Sequence, residues 1–303
     1  MKRERTQMFN EDDIPDFIKA GKIAETARDR SKKIVKPGAK IIDIAESIEG
    51  WIKEEGGSFG FPANISINNI AAHYTPPFDD TSEIPEDAVV KIDLGASVNG
   101  CVGDTAYTLD FSGEHGKLLE ASEQALENII NHIKSGINVG ELGEIAEETI
   151  AGKGVRVIRN LSGHRIERNL LHGASVPMIK GYKGWELEEG MAIAIEPFAS
   201  TGNGNVKEGA RTEIFMFQRD ILTRNLDARN LLENIKREFK TLPFAERWII
   251  RDQQTFKWRL AMRELITRGA LHPYPVLLES AGSRVAQFEK TLLVEKDSCR
   301  ILT

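Results

Sequence analysis

The sequence predicts an α+β fold built from two similar halves, with a helical segment inserted into the second. Three observations predict it. Residues 89–111, VVKIDLGASVNGCVGDTAYTLDF, read as two strands joined at Asn99-Gly100, a strong two-residue hairpin signal. A shift of 98 residues lays KPGAKIIDIAESIEGWIKEEG (36–56) on KSGINVGELGEIAEETIAGKG (134–154), with six of 21 positions identical. Residues 224–268 have a helical pattern and carry 11 Lys and Arg against 6 Asp and Glu, in a chain of net charge −6. The repeat implies two half-domains, each of two helices followed by strands, facing one another across a central cleft.

Taken in order, residues 10–35 read as a helix. Asn10 suits the N-cap, Glu11, Asp12 and Asp13 suit the positive helix end, and Pro15 falls in the first turn. Ile14, Phe17, Ile18 and Ile23 form its apolar stripe. A second helix follows at about 42–55, strands and loops fill 58–111, and two more helices cover about 115–134 and 140–152. Residues 155–215 return to Gly-rich strand and loop character. Within the basic stretch, Pro243 is expected to open a helix. The final SRVAQFEKTLLVEKDSCRILT reads as two strands.

With 303 residues and 41% hydrophobic content, the chain can bury one large core or two. Its acidic balance argues against a generic nucleic-acid binder. Cys101 and Cys299 have no CxxC spacing, and two lone thiols fit a reducing cytosol. No apolar run approaches the ~20 residues of a membrane span, and MKRERTQMFNEDDIPDF has no apolar signal core. The expectation is an intracellular, cytoplasmic protein without a membrane segment.

The hairpin raises a chemical question, because strand interiors disfavour Asp and an unpaired buried carboxylate is costly. With Asn99-Gly100 as the turn, Val98 faces Cys101 and Asp93 faces Ala106. Asp104 is then a diagonal, same-face neighbour of Asp93, about 7–8 Å away between Cα atoms. The flanking Val90, Ile92, Leu94 and Val102 suggest burial on one side only. Glu196 in GMAIAIEPFAS and Glu289 in VAQFEKTLLVE are two further carboxylates among apolar strand residues. Singly, each reads most simply as an edge-strand charge. Gathered in one cleft, the four would repel by roughly 4 kcal/mol per close pair at an effective dielectric of ~20, and divalent cations are the usual remedy. Of six histidines, His115 and His132 read as solvated and His272 as a loop residue, whereas His73, His164 and His172 lie among small and Gly residues.

NNIAAHYTPPFDD, KIDLGASVNGCVGDTAYTLDF, NLSGHRIERNLLHG, IEPFASTGNG and QFEKTLLVEKD occur in an order and spacing that resemble the type 2 methionine aminopeptidases in their short archaeal form. The resemblance runs from about residue 10 to the end. It implies the pseudo-symmetric pita-bread fold of peptidase family M24, with residues 1–215 and 272–303 as catalytic domain and 216–271 as an inserted, winged-helix-like subdomain. It implies two divalent ions held by Asp93, Asp104, His164, Glu196 and Glu289. Asp104 and Glu289 would bridge both, Asp93 would bind one, and His164 with Glu196 the other. One imidazole among carboxylates suits Co, Mn, Fe(II) or Zn better than Ca or Mg.

The same resemblance makes His73 and His172 substrate contacts, Glu196 a proton shuttle, and Phe61, Tyr274 and Leu277 parts of a methionine pocket. The implied activity is removal of the initiator methionine from nascent polypeptides with a small second residue. The implied state is a monomer, and the basic insertion is a candidate ribosome contact. Two positions depart from the family pattern: Lys290, where His is frequent, and Asn169, where an aromatic is common. An Xaa-Pro peptidase of the same fold is one rival, expected to carry a further N-terminal domain. A non-catalytic pita-bread protein binding peptides, histones or RNA is the other, expected to have lost metal ligands.

Overall fold

The computed structural model describes residues 11–249 and 255–303, so the expected Asn10 cap lies outside the described residues. A 3-10 turn at Glu11–Asp13 leads into α1 (Ile14–Ser31), with Pro15 in its first turn. Then come α2 (Ile41–Glu54), β1 (Ser58–Ile67), β2 (Ile70–Ala72) and the hairpin β3 (Val89–Val98) and β4 (Cys101–Asp110). The second half opens with α3 (Gly116–Ile130) and α4 (Val139–Gly152). It continues through β5 (Arg156–Val157), β6 (Ser162–Ile166), β7 (Ser175–Pro177), β8 (Ala192–Ile195), β9 (Phe198–Ser200) and β10 (Lys207–Phe217). The following segment holds α5 (Leu226–Phe239), β11 (Phe244–Ala245), α6 (Glu246–Ile249) and α7 (Thr255–Thr267). The chain returns through β12 (Leu271–Leu278), β13 (Val285–Gln287), β14 (Glu289–Val294) and β15 (Cys299–Ile301).

The sequence repeat is a structural one. α2 and α4 begin and end 98 residues apart. Their lead-in turns match as well: Gly38 N–H donates to Ile84 O and Gly136 N–H to Leu187 O, each at 2.8 Å. Both glycines have positive φ, 75° and 86°, a conformation that a Cβ disfavours.

An eight-stranded sheet carries the order β1-β3-β4-β14-β8-β6-β7, with β15 pairing β14. The hairpin register is the expected one, Val98 opposite Cys101, Asp93 opposite Ala106 and Gly95 opposite Asp104. Asn99 and Gly100 both have positive φ, as a type I′ turn requires. Val90, Ile92 and Leu94 pack into a core with α1 and α2, while Ile193, Ile195 and Leu292 pack into a second core with α3 and α4. Each pair of helices thus covers the same kind of sheet face, and period-2 alternation turns the side chains of Asp93 and Glu289 to the other face. That other face is covered too. Lys91 is fully buried, donating to Asn68 O at 3.3 Å and Val285 O at 3.1 Å. The one-sided burial expected for the hairpin is therefore corrected to burial on both faces. A smaller sheet, β11-β10-β12-β2, ties the segment between β10 and β12 to β2 of the first half.

Two local expectations are also corrected. Pro243 precedes edge strand β11 and not a helix; an edge tolerates its missing N–H. The C-terminal segment makes three strands, because at Phe288 the chain leaves the pairing with β9 for pairing with β4 and β8. Cys101 and Cys299 are both free thiols.

α1 crosses β4 in close contact at Gly103, where an added Cβ would come within 2.5 Å of the Gly21 backbone. Gly103→Ala should therefore lower stability by about 1–3 kcal/mol. Gly50→Ala, inside α2 with nothing within 4 Å, should raise it by roughly 0.5–1 kcal/mol. Denaturant melts of the two variants check the opposed signs.

Candidate metal centre and cavity

Asp93, Asp104, Glu289, Glu196 and His164 come from β3, β4, β14, the residue following β8, and β6, five consecutive strands of the large sheet. Glu289 and Asp93 both lie opposite Ala106, one on each side of it. Asp104 and Glu289 are 3% and 2% exposed. Asp104, His164 and Glu289 each offer a ligand atom within 4.8 Å of the others. His164 Nε2 lies 3.7 Å from Asp104 Oδ2 and 3.7 Å from Glu196 Oε1.

The electrostatics follow from this crowding. Burial raises Asp93 to about 7. Burial first, then the neighbouring carboxylates, push Asp104, Glu196 and Glu289 well above the usual range. Asp93 Oδ1, Asp104 Oδ1 and Glu289 Oε1 are buried and without a hydrogen-bond partner. Orphaned oxygens, adjacent carboxylates and one imidazole form a donor set that fits divalent cations.

These groups form part of the wall of a cavity of about 420 Å³. His73 and His172 line it as well, with Tyr274 between them at ring-centroid distances of 5.4 and 5.6 Å. His172 is exposed to the cavity, but the surrounding wall and the nearby imidazoles of His164, His73 and His272 lower its proton affinity well below the ordinary value. Burial lowers His73 to about 4. His73 also carries a φ of 64°, an unusual conformation for a residue with a Cβ. Phe61 and Tyr274 line the wall, joined by Phe198, Leu171, Ile214 and Pro243. Leu277 is not among the lining residues. It pairs with Ala72 and packs into a cluster with Ala72 and Phe198, which do line the cavity, so it stands directly behind that part of the wall.

The profile of metallopeptidase family M24 matches residues 16–223. A methionine aminopeptidase of Pyrococcus horikoshii is 46% identical over 293 residues, covering 96% of this chain and 99% of that one. The chain belongs to the methionine aminopeptidases of metallopeptidase family M24. Among solved structures, a thermophilic Arx1 superposes with a TM-score of 0.84 at 19% identity, covering 97% of this chain and 91% of that one. The methionine aminopeptidase of Thermotoga maritima gives 0.71 at 23%, covering 97% of both chains. These two structures share the fold, and family membership rests on the closer relatives.

For a metallopeptidase, two side chains overlooked in the sequence stand out. The Gln287 amide donates to Glu196 Oε2 and Glu289 Oε2, each at 3.3 Å, and reaches Asp93 Oδ2 at 3.5 Å. Its spacing of two from Glu289 on an extended segment was the available signal. His272, read as a loop residue, is on β12 in the cavity wall, edge-on to Tyr274 at 4.9 Å. The two departures from the family pattern are explained locally. Lys290 points away from the cavity, donating to Thr303 O at 2.6 Å. Asn169 has a φ of 60° and donates its N–H to Gly100 O at 2.8 Å, a backbone conformation that Asn tolerates better than an aromatic.

Asp104→Ala and Glu289→Ala should each reduce tightly bound divalent metal and abolish turnover. His172→Ala should retain the metal while losing rate. Metal content after dialysis, measured beside peptide hydrolysis, separates the two outcomes.

Proposed function

We propose that this chain removes the initiator methionine from nascent polypeptides in the cytoplasm, using two divalent ions drawn from Co, Mn, Fe(II) or Zn. The observation that carries the reading is the set of five ligand-type side chains from consecutive strands, opening into a cavity flanked by His73 and His172. In the proposed assignment Asp93, Asp104, His164, Glu196 and Glu289 would hold the ions. Bound there, the ions supply positive charge that acidifies a water and polarises a carbonyl.

The chain's own groups do the rest. Glu196 takes the water's proton and delivers it to the leaving amine. His73 Nδ1 lies 3.3 Å from Pro275 O. A proton on Nδ1 donated to that carbonyl leaves Nε2 as an acceptor, suited to the scissile amide N–H. His172 hydrogen-bonds the substrate carbonyl and stabilises the tetrahedral intermediate. The apolar wall around Phe61 and Tyr274 buries the unbranched methionine side chain.

Release of free methionine from a matched tripeptide series tests this reading. Met-Ala-Ser, Met-Gly-Ser and Met-Pro-Ser should be cut. Met-Lys-Ser should be slower by about 10²-fold, because a long second side chain displaces the scissile carbonyl. Comparable kcat/KM for Met-Ala-Ser and Met-Lys-Ser, or preference for another first residue, overturns it.

The reading includes a monomer whose segment 216–271 is an inserted subdomain that docks on ribosomal RNA. The support is α7, whose exposed residues are Phe256, Lys257, Arg259, Leu260, Arg263 and Thr267, with no acid among them. Phosphate contacts make such binding salt-dependent. Co-sedimentation with ribosomes should fall steeply from low to moderate salt, and Lys257→Glu with Arg259→Glu should weaken it. Absent or salt-insensitive binding removes this part of the proposal.

A further inference from the structure

The inserted stretch sends one guanidinium deep into the rest of the molecule. Arg247, on α6, is 4% exposed, as is its partner Glu49 on α2. Arg247 Nη2 donates to Glu49 Oε1, and the Trp248 indole N–H donates to Glu49 Oε2 at 2.9 Å. The same carboxylate accepts the Ala63 backbone N–H at 3.3 Å. The other arm of the guanidinium, Nη1, donates to Thr75 Oγ1 at 2.6 Å and to Pro76 O at 3.3 Å. The Thr75 hydroxyl in turn donates to Ala63 O at 2.8 Å. The Trp248 ring packs at a tilt of 30° against Phe59 of β1, with centroids 4.5 Å apart.

Two features give this network a functional address. Thr75 is fully buried and two residues beyond His73, whose backbone has a φ of 64°. A residue with a Cβ stays in that region when surrounding structure over-determines it. Ala63 precedes Asn64, which pairs directly with Asp93. One ion pair therefore grips the segment carrying a cavity histidine and the strand beside a candidate ligand.

We propose that Arg247, oriented by Glu49, is a positioning residue that holds His73 at the cavity wall through Thr75 and Pro76. This deepens the peptidase reading and rests on it. It also assigns the inserted stretch a part in catalysis that needs no external partner. Neither Arg247 nor Glu49 lines the cavity, so the effect reaches the reaction through the backbone of residues 73–76.

The test centres on Thr75, because removing half of a buried ion pair endangers folding. Thr75→Val deletes the hydroxyl at nearly constant volume, and Thr75→Ser keeps it. Thr75→Val should lower kcat on Met-Ala-Ser by about 10-fold or more, with KM changed less than about twofold and metal content intact. The rate of His73 carbethoxylation by diethyl pyrocarbonate, mapped by mass spectrometry, should rise at least about threefold as the residue is freed from its constraint. His172 serves as the internal reference. Thr75→Ser should restore both readouts, and Arg247→Met, where it folds, should reproduce the Val phenotype. A folded Thr75→Val protein with unchanged kcat and unchanged His73 reactivity overturns the proposal. Because His73 reactivity is measured without turnover, a parent protein that releases no methionine would sink the peptidase reading while leaving the tether testable.

Discussion

Crowding of like charge on one buried sheet face is the constraint around which the molecule is arranged. Four carboxylates converge there. Among the described residues, the basic side chain that comes within 4.0 Å of them is His164, an imidazole that burial lowers to about 4 and so leaves without a compensating charge. Each close pair costs roughly 4 kcal/mol at an effective dielectric of ~20 when both members are charged. The sheet holds them together regardless, because its backbone is fixed elsewhere. Asp104 O accepts from Thr291 Oγ1 at 2.9 Å and Thr303 Oγ1 at 3.1 Å, and Asp104 N–H donates to Thr291 Oγ1 at 2.7 Å. The neutral amide of Gln287 supplies donors without supplying charge. The arrangement leaves a concentration of negative potential that divalent ions complete.

The two halves divide the labour of rigidity. Each packs a helix pair against the sheet face opposite the carboxylates, so the apolar cores and the polar centre share strands without sharing a face. The hairpin belongs to the first half and the strands carrying Glu196 and His164 to the second. β14, bearing Glu289, lies between β4 and β8 and joins them. A ligand set drawn from both halves can keep its geometry only if that join is rigid, and the pairing of Lys290 through Leu293 with Ile195 through Ala192 provides it.

Much of this was legible in the sequence, for identifiable reasons. Asn99-Gly100 fixes register by turn chemistry, and the register alone puts Asp93 and Asp104 on one face. The 98-residue repeat predicted the equivalence of α2 and α4. What was not legible depends on contacts between distant segments. Lys91 gave no sign of being buried, because its partners are carbonyls of Asn68 and Val285. His272 resembled a loop residue because the flanking Pro273 and Pro275 look like strand breakers, yet both stand in β12 opposite Phe215 and Thr212. Leu277, assigned to the pocket by resemblance, packs behind the lining residues Ala72 and Phe198. The deep entry of Arg247 could not be read from a stretch whose other exposed charges advertise a solvated surface.

The segment between β10 and β12 also bears on selection of a chain end. Pro243 forms part of the cavity wall, so the segment between β10 and β12 contributes to that wall directly. A cavity of about 420 Å³ whose polar end is a carboxylate cluster has little room for a chain passing through it. Under the peptidase reading, the substrate must therefore enter by a terminus. Of the two termini, an amine brings N–H donors to buried oxygens of Asp93, Asp104 and Glu289 that lack a partner, an attraction that a terminal carboxylate, an acceptor only, cannot make. An acetylated amine loses that attraction and adds bulk at the most crowded point. Preference for an unblocked N-terminus thus follows from where the acceptor oxygens lie and how little space surrounds them.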